Sequence, residues 1–316
     1  MKREFYHQPV MADRVVEYLI TNSQGVYVDG TVGGGGHSEL ILNRLEKDGK
    51  LLCLDADWEA LKFAEKRLNQ FSNKVLKQSF FDQLDVVLVE ENSIPVDGFI
   101  FDLGLSSYQI DHKEKGFSFR LDGPLDMRFS TNQQPTAKDV VNTYSEGRLQ
   151  KIFREYGEER YWRKIAKKIV EYRDRKMIET TSQLANIISD VTGDNYRVKT
   201  LARIFQAIRI EVNKELDRLR IALEKAFKYL SQNGRIVVIS YHSLEDKIVK
   251  DFFRLKEQDC VCPKDFPVCV CDKIPEMCVL TKRAIRPSYD EINSNPRARS
   301  ARLRVAEKIV PFKRDL

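Results

Sequence analysis

The sequence predicts an α/β protein: a doubly wound, mostly parallel sheet with a helical insertion. Three observations carry that prediction. Through the first hundred residues, short β-branched or aromatic runs alternate with stretches of helical spacing, the βαβ rhythm of a parallel sheet. A glycine-rich turn, Asp29-Gly30-Thr31-Val32-Gly33-Gly34-Gly35-Gly36-His37-Ser38, joins the first such run to a helix. From about Asp111 to Val198 strand signals stop and helical spacing takes over, and strand-like runs return afterwards.

Taken in order, residues 9 to 20 put Val10, Val15, Val16, Leu19 and Ile20 on one face of an amphipathic helix. Val26-Tyr27-Val28 is the first strand, and Glu39 to Leu45 is the helix beyond the glycine turn. Lys50 to Leu54 is a second, buried-type strand ending in Asp55. The next helix starts near Asp57 and carries Ala60, Leu61, Ala64 and Leu68 on one side. Lys74 to Gln78 and Val96 to Phe101 are strands three and four, the latter ending in Asp102. Turn-rich sequence from Gly116 to Pro135 opens the insertion, and Arg160 to Lys176 sets Trp162, Ile165, Ala166, Ile169 and Val170 at helical spacing. Leu201 to Leu223 reads as one long amphipathic helix, capped by Gly234, and Arg235 to Ser240 is a fifth strand. Cys278 to Ala284 and Ala301 to Val310 supply two more, making seven. The expected division is 1–110 and 201–316 for the two parts of the sheet domain, with 111–200 as the insertion.

The glycine turn is needed because the backbone must bend sharply and let a ligand approach with no Cβ in the way. Asp29 is expected at the mouth of the turn, where it would repel a diphosphate. The third glycine of the dinucleotide fingerprint is also missing. Both features favour a positively charged ligand such as S-adenosylmethionine, with a dinucleotide oxidoreductase as the distant rival. Asp55, twenty residues past Gly35, suits a pair of ribose hydroxyls, while Asp57 is the natural helix cap. Phe80 and Phe81 can stack on an adenine or fill the core. His242 beside Ser243 and Glu245 resembles a hydrolase set, but a helix start with Ser243 capping Asp246 accounts for it better.

At 316 residues, 42% hydrophobic and 32% charged, the chain can bury a sizeable core as a globular protein. No apolar run is long enough to span a membrane, and no apolar signal region follows Met1-Lys2-Arg3-Glu4-Phe5, so a cytoplasmic location is expected. The net charge of +6 is mild, yet Arg148 to Lys176 alone holds eleven Lys or Arg against five acids. Such a block is ordinarily a solvated helix face, and it also suits nucleic acid.

Nine blocks, in order along the chain, make a more specific match. They are His7 to Met11, Asp29 to Ser38, Asp102 to Ser107, Gly116-Phe117-Ser118-Phe119, and Gly123-Pro124-Leu125-Asp126-Met127-Arg128. Tyr156-Gly157-Glu158-Glu159-Arg160, Phe205 to Asn213, Ser240-Tyr241-His242-Ser243-Leu244-Glu245-Asp246 and Asn295-Pro296-Arg297-Ala298-Arg299-Ser300 complete them. With these the chain resembles the bacterial small-subunit ribosomal RNA methyltransferase H family, also called MraW. The resemblance implies a class I, Rossmann-like methyltransferase with a seven-stranded sheet and an inserted substrate-recognition domain. It implies methyl transfer from S-adenosylmethionine to the exocyclic N4 of a cytidine in the decoding region of small-subunit rRNA. The cofactor-binding residues carried over are Gly35, Gly36, His37, Asp55, Phe81, Asp102 and Gln109. Tyr241 stands where a phenylalanine is common.

A cytosine amine is a poor nucleophile because its lone pair is delocalised into the ring. Alignment and hydrogen-bond acceptors that favour a pyramidal nitrogen are needed, whereas a covalent nucleophile is not. Asp102, or a group in Leu103 to Ser106, is the candidate acceptor, with service to the cofactor as the other role of Asp102. Lys164, Lys167 and Lys168 of the insertion, and Arg297, Arg299, Arg302 and Arg304, are candidate partners of RNA phosphates. The expected partner is rRNA within an assembled or assembling small subunit. The rival readings are a methyltransferase of DNA or protein, and a non-catalytic ribosome-assembly factor keeping the fold.

Cys260-x-Cys262 and Cys269-x-Cys271 are separated by six residues, Cys278 follows six further on, and Cys53 stands alone in a strand. Four clustered thiols suit zinc better than disulfides in a reducing compartment, although the spacing is not a common zinc pattern. The family resemblance implies no metal. Reduced cysteines in a compact loop are the other reading.

Overall fold

Alternation of side chains across a pleated strand explains most of the sheet. In the computed structural model, which describes residues 9–193, 197–263, 270–271 and 273–310, neighbouring strand residues go to opposite apolar layers. Tyr27, Leu51, Cys53 and Ile100 face one layer, and Val28, Leu52, Leu54, Phe99 and Phe101 face the other. A sheet buried on both faces needs such continuous apolar runs. The chain divides into two compact units, Met1–Gly104 with Asp217–Leu316, and Leu105–Leu216.

The first unit begins with α1 (Ala12–Leu19), β1 (Val26–Asp29), α2 (Gly36–Leu42), β2 (Lys50–Asp55), α3 (Trp58–Arg67), β3 (Lys74–Gln78), α4 (Leu84–Glu90) and β4 (Val96–Asp102). In the second unit follow α5 (Ser107–Asp111), α6 (Ala137–Thr143), α7 (Glu146–Glu155), α8 (Trp162–Arg173), α9 (Thr181–Ser189) and α10 (Arg197–Asn213). Helix α11 (Glu215–Tyr229) then leads into β5 (Leu230–Ser240), α12 (Ser243–Glu257), β6 (Met277–Val279), α13 (Tyr289–Ser294) and β7 (Arg302–Lys308). The seven strands form one sheet in the order β3-β2-β1-β4-β5-β7-β6, with β7 antiparallel to both its neighbours. This is the doubly wound arrangement expected. Among the described residues, no helix is long and apolar enough to cross a membrane.

Three local expectations need correction. The long helix from Leu201 to Leu223 is two helices, broken at Lys214, which takes a left-handed φ of 53°. Hydrophobic spacing continues across the break, so periodicity alone hides it. Gly234 does not cap a helix, because α11 ends at Tyr229 and Gly234 lies inside β5. There a Cβ would come within 2.8 Å of the Leu230 side chain and 3.0 Å of the Asp97 carbonyl. The bend belongs to an irregularity in pairing, since Val96 lies opposite Leu230 and Gly98 opposite Arg235. Strand β6 is also shorter than the sequence predicts, three residues from Met277.

The second unit packs its helices around Leu149, Phe153, Ile165, Ile169, Leu184, Ile204 and Ile208. Its polar residues serve that packing. Thr136 and Thr180 close capping boxes at the starts of α6 and α9. Buried Glu211 accepts from Tyr144 at 3.0 Å, Arg148 at 2.9 Å and Lys214 at 2.8 Å. These donors hold its carboxyl below the usual range against the opposing effect of burial. Asn213 donates to the Met127 carbonyl at 2.8 Å and accepts from the Phe129 N–H at 2.9 Å, fixing both sides of Arg128.

Candidate active site

Parallel pairing of β1, β2 and β4 brings three aspartates, each the last residue of its strand, to one end of the sheet. The glycine loop bends over that end. Gly30 donates to the Ile100 carbonyl and Val32 to the Leu54 carbonyl, both at 2.9 Å, which ties the loop across the sheet. Gly33 and Gly35 hold φ of 51° and 78°, a region that disfavours any side chain. A Cβ on Gly34 would meet nothing within 4 Å, so the protein leaves that part of the loop uncovered.

The three aspartates have different surroundings. Asp29 is buried, and it accepts from Ser38 Oγ at 2.7 Å and from the Thr31 N–H at 3.1 Å. Burial pushes its carboxyl up, against the opposing pull of the Ser38 hydroxyl. It therefore holds the loop from within instead of standing at its mouth. Asp55 takes the Gly33 N–H on one oxygen at 2.9 Å and the Asp57 N–H on the other at 2.8 Å. Burial raises it to about 7, with the two N–H groups pulling the other way. Each of its oxygens keeps a lone pair for a further donor. Asp57 caps α3 by accepting from the Glu59 N–H at 3.1 Å.

Asp102 is the least satisfied of the three. Its N–H donates to Thr31 Oγ1 at 2.7 Å, which places the residue beside the loop. Its Oδ1 is buried with no hydrogen-bond partner among the described residues. Its Oδ2 lies 3.6 Å from His37 Nδ1, too long for a hydrogen bond. The other ring nitrogen, His37 Nε2, is 2.9 Å from the Val10 carbonyl and must donate to it, because a carbonyl only accepts. Tyr241 completes the surroundings: burial first, then the charge of Asp102 and a hydrogen bond to its carboxylate, push its phenol well above the ordinary value. Gly104 permits that approach, since a Cβ there would lie 2.7 Å from the Tyr241 ring. Thr31 and Tyr241 are site residues that the sequence does not single out. The only signal for Tyr241 is its departure from a common phenylalanine.

The two phenylalanines also separate. Phe80 lies under the guanidinium of Arg218, 3.7 Å from its ring centre, and Arg218 reaches on to Asp82 at 2.6 Å. Phe81 turns toward the sheet, its ring 5.9 Å from that of Phe101 and its Cβ 3.3 Å from where a Cβ on Gly30 would stand. Gly35 and Gly36 lie at the start of α2, where Gly36 passes close to Pro9. Gln109 belongs to the second unit, in α5, and accepts from the Ser106 N–H at 3.1 Å as half of a capping box.

The candidate RNA-binding residues divide likewise. On α8, Lys164 and Lys167 are exposed and Lys168 is half-buried, with Glu171 3.7 Å from Lys167. Arg297 and Arg299 are exposed in the turn Pro296–Ser300. Arg302 and Arg304 are different: both bind buried Asp246, at 2.8 and 2.6 Å. Asp246 is therefore not the partner of a Ser243 cap. The N-cap of α12 is His242, in a capping box with Glu245, so the hydrolase-like set is a helix start. Of the cysteines, Cys53 is buried in β2 and its thiol is pushed up by burial, Cys278 is exposed, and Cys269 lies outside the described residues. The sulfurs of Cys260, Cys262 and Cys271 come together.

Comparison with known proteins adds to this geometry. Residues 4–309 match the MraW methylase family. The chain is 49% identical over 306 residues to "Ribosomal RNA small subunit methyltransferase H" of Caldicellulosiruptor bescii, covering 96% of this chain and 100% of that one. It is 50% identical over 309 residues to the protein of the same name from Carboxydothermus hydrogenoformans, covering 97% and 99%.

Proposed function

The chain belongs to the MraW methylase family, and from that premise we propose that it methylates small-subunit ribosomal RNA at the exocyclic N4 of a cytidine in the decoding region. The methyl donor is S-adenosylmethionine, whose sulfonium supplies an electrophilic methyl group when bound. The observation that supports this most is Asp102, an acid at the end of β4 with one buried oxygen, Oδ1, that has no hydrogen-bond partner among the described residues. A buried acceptor without a donor is costly, and an amino group that brings its own N–H bonds relieves it.

The other residues fit the same cofactor. Gly33 and Gly34 leave the backbone uncovered just ahead of α2. Asp55 keeps capacity for two ribose hydroxyls, and Phe81, its ring tilted against that of Phe101, is the aromatic residue assigned to the adenine. His37, locked to the Val10 carbonyl, holds the approach to Asp102 Oδ2. Gln109 joins the set on the family resemblance alone. Asp102 accepts from the cofactor's ammonium in this reading. No nucleophilic Ser or Cys would be required, because the amine would attack the methyl group directly as its bond to sulfur breaks, releasing S-adenosylhomocysteine, and would then give its proton to water.

Recognition of the RNA is assigned to the helical unit, through Lys164, Lys167 and Lys168, and to Arg297 and Arg299 of the sheet unit. The substrate form is rRNA within an assembled or assembling small subunit. The test is nucleoside mass spectrometry of small-subunit rRNA from cells with and without the protein. Loss of N4-methylated cytidine when the protein is absent is expected, and an unchanged level overturns the reading.

A further inference from the structure

The stretch between α12 and β6 has no helix or strand among its described residues. Val261 and Val270, beside its cysteines, are 52% and 69% exposed, so burial of these two side chains does not hold the arms that carry the cysteines. Three thiols converge there from two arms of the chain. The sulfurs of Cys260, Cys262 and Cys271 lie within 4.8 Å of one another, and those of Cys260 and Cys271 are 3.9 Å apart. A disulfide needs about 2.0 Å. Four sulfurs around tetrahedral zinc at about 2.3 Å stand about 3.8 Å from each other along each edge. The observed separation matches the second geometry.

A second feature is the direction of the surrounding amides. The backbone N–H groups of Val261, Cys262 and Val270 are each aimed at a cluster sulfur, that of Cys271, Cys260 and Cys262 respectively, at 3.4 Å. They occupy the place that outer hydrogen bonds take around metal-bound thiolates. Soft sulfur donors in a tetrahedral array select zinc over hard cations.

We propose that Cys260, Cys262 and Cys271 bind a structural zinc ion that joins the arm at 260–262 to the arm at 270–271. Each thiol gives up its proton on binding, and the fourth position is filled by a ligand that spectroscopy counts. The ion stands apart from methyl transfer: none of its ligands is among the residues assigned to cofactor or RNA. Cys278 is on β6 and is not one of the three.

The experiment uses the full chain without a metal-binding tag, purified with no added metal, and measures zinc per chain by mass spectrometry and its ligands by X-ray absorption. About one zinc per chain with a first shell of at least three sulfurs is expected. Cys262→Ser should lower zinc content at least severalfold and open residues 258–276 to limited proteolysis, while Cys278→Ser keeps the full content. Because a serine variant can fail to fold, the parent chain decides independently. Iron in place of zinc, a shell of nitrogen and oxygen only, or a metal-free chain whose cluster thiols all react with a thiol reagent overturns the proposal.

Discussion

Three acids of the helical unit and two at the carboxyl end of the sheet are treated in opposite ways. In the helical unit, buried Glu211 has three donors, Glu215 is held by both arms of Arg209 at 2.8 Å, and Asp126 is held by Arg128. These acids are used up in fixing helices and turns. At the carboxyl end of the sheet, Asp102 has an oxygen with no donor among the described residues, and Asp55 is pushed up to about 7 by burial. Among the described residues, neither has a cation beside it to offset the cost of burying its charge. At these five positions the difference separates scaffold from candidate site: the acids of the helical unit are neutralised by cations, and the two at the end of the sheet are not.

That contrast can be broken most sharply at Asp102. Asp102→Asn should cut the initial rate of methyl transfer by about 100-fold or more, the scale of losing one oriented electrostatic interaction. Calorimetry should show weakened S-adenosylmethionine binding, because the ammonium loses its counter-charge. Unchanged cofactor affinity with the rate abolished would move Asp102 from the cofactor to the cytosine amine.

Glu211→Ala tests the other side. It strands Tyr144, Arg148 and Lys214, of which the two cations are about half exposed and can rehydrate, so about 2 kcal/mol of unfolding free energy should be lost in urea titration. Cofactor affinity should not change. The contribution of Glu211 also has a pH sign. Its carboxyl sits below the ordinary value in the folded chain, so it stabilises above that value and the benefit is lost as pH falls into the acid range.

Reversal of Lys164, Lys167 and Lys168 to Glu sharpens the comparison from the solvent side, where the helical unit carries exposed charge. RNA affinity at low salt should drop about tenfold or more, and the slope of log affinity against log salt should flatten by about 0.7 for each phosphate that is no longer neutralised. Folding stability should barely move. An unaltered salt series would remove these lysines from the RNA surface.

The smallest effect is expected at Asp55. Ribose hydroxyls are best accepted by the ionised carboxylate, and the free chain ionises it only at about pH 7. S-adenosylmethionine should therefore bind about tenfold more weakly at pH 6 than at pH 8, and Asp55→Asn should flatten that dependence. The stability sign is opposite to that of Glu211. Raised above its ordinary value of 3.8, Asp55 opposes folding once ionised, so its cost to the free chain grows as pH rises from about 4 to 7.

Local sequence determined a good part of this protein. The alternation of β1 to β4, the glycine turn and the cap at Asp57 were legible because each depends on neighbours a few residues apart. So were the paired cysteines. Tertiary structure decided which partners those residues have. Asp29 and Asp102 both end strands, yet one is turned inward to Ser38 and the other keeps an oxygen without a partner, a difference fixed by the fold of the loop over the sheet. Arg302 and Arg304 look like a basic patch in sequence and are instead held by Asp246, more than fifty residues away. The break at Lys214 leaves the hydrophobic period intact and shows only in its backbone angle. Periodicity and turn chemistry are short-range and can be read along the chain, whereas hydrogen-bond satisfaction depends on everything that packs around an atom.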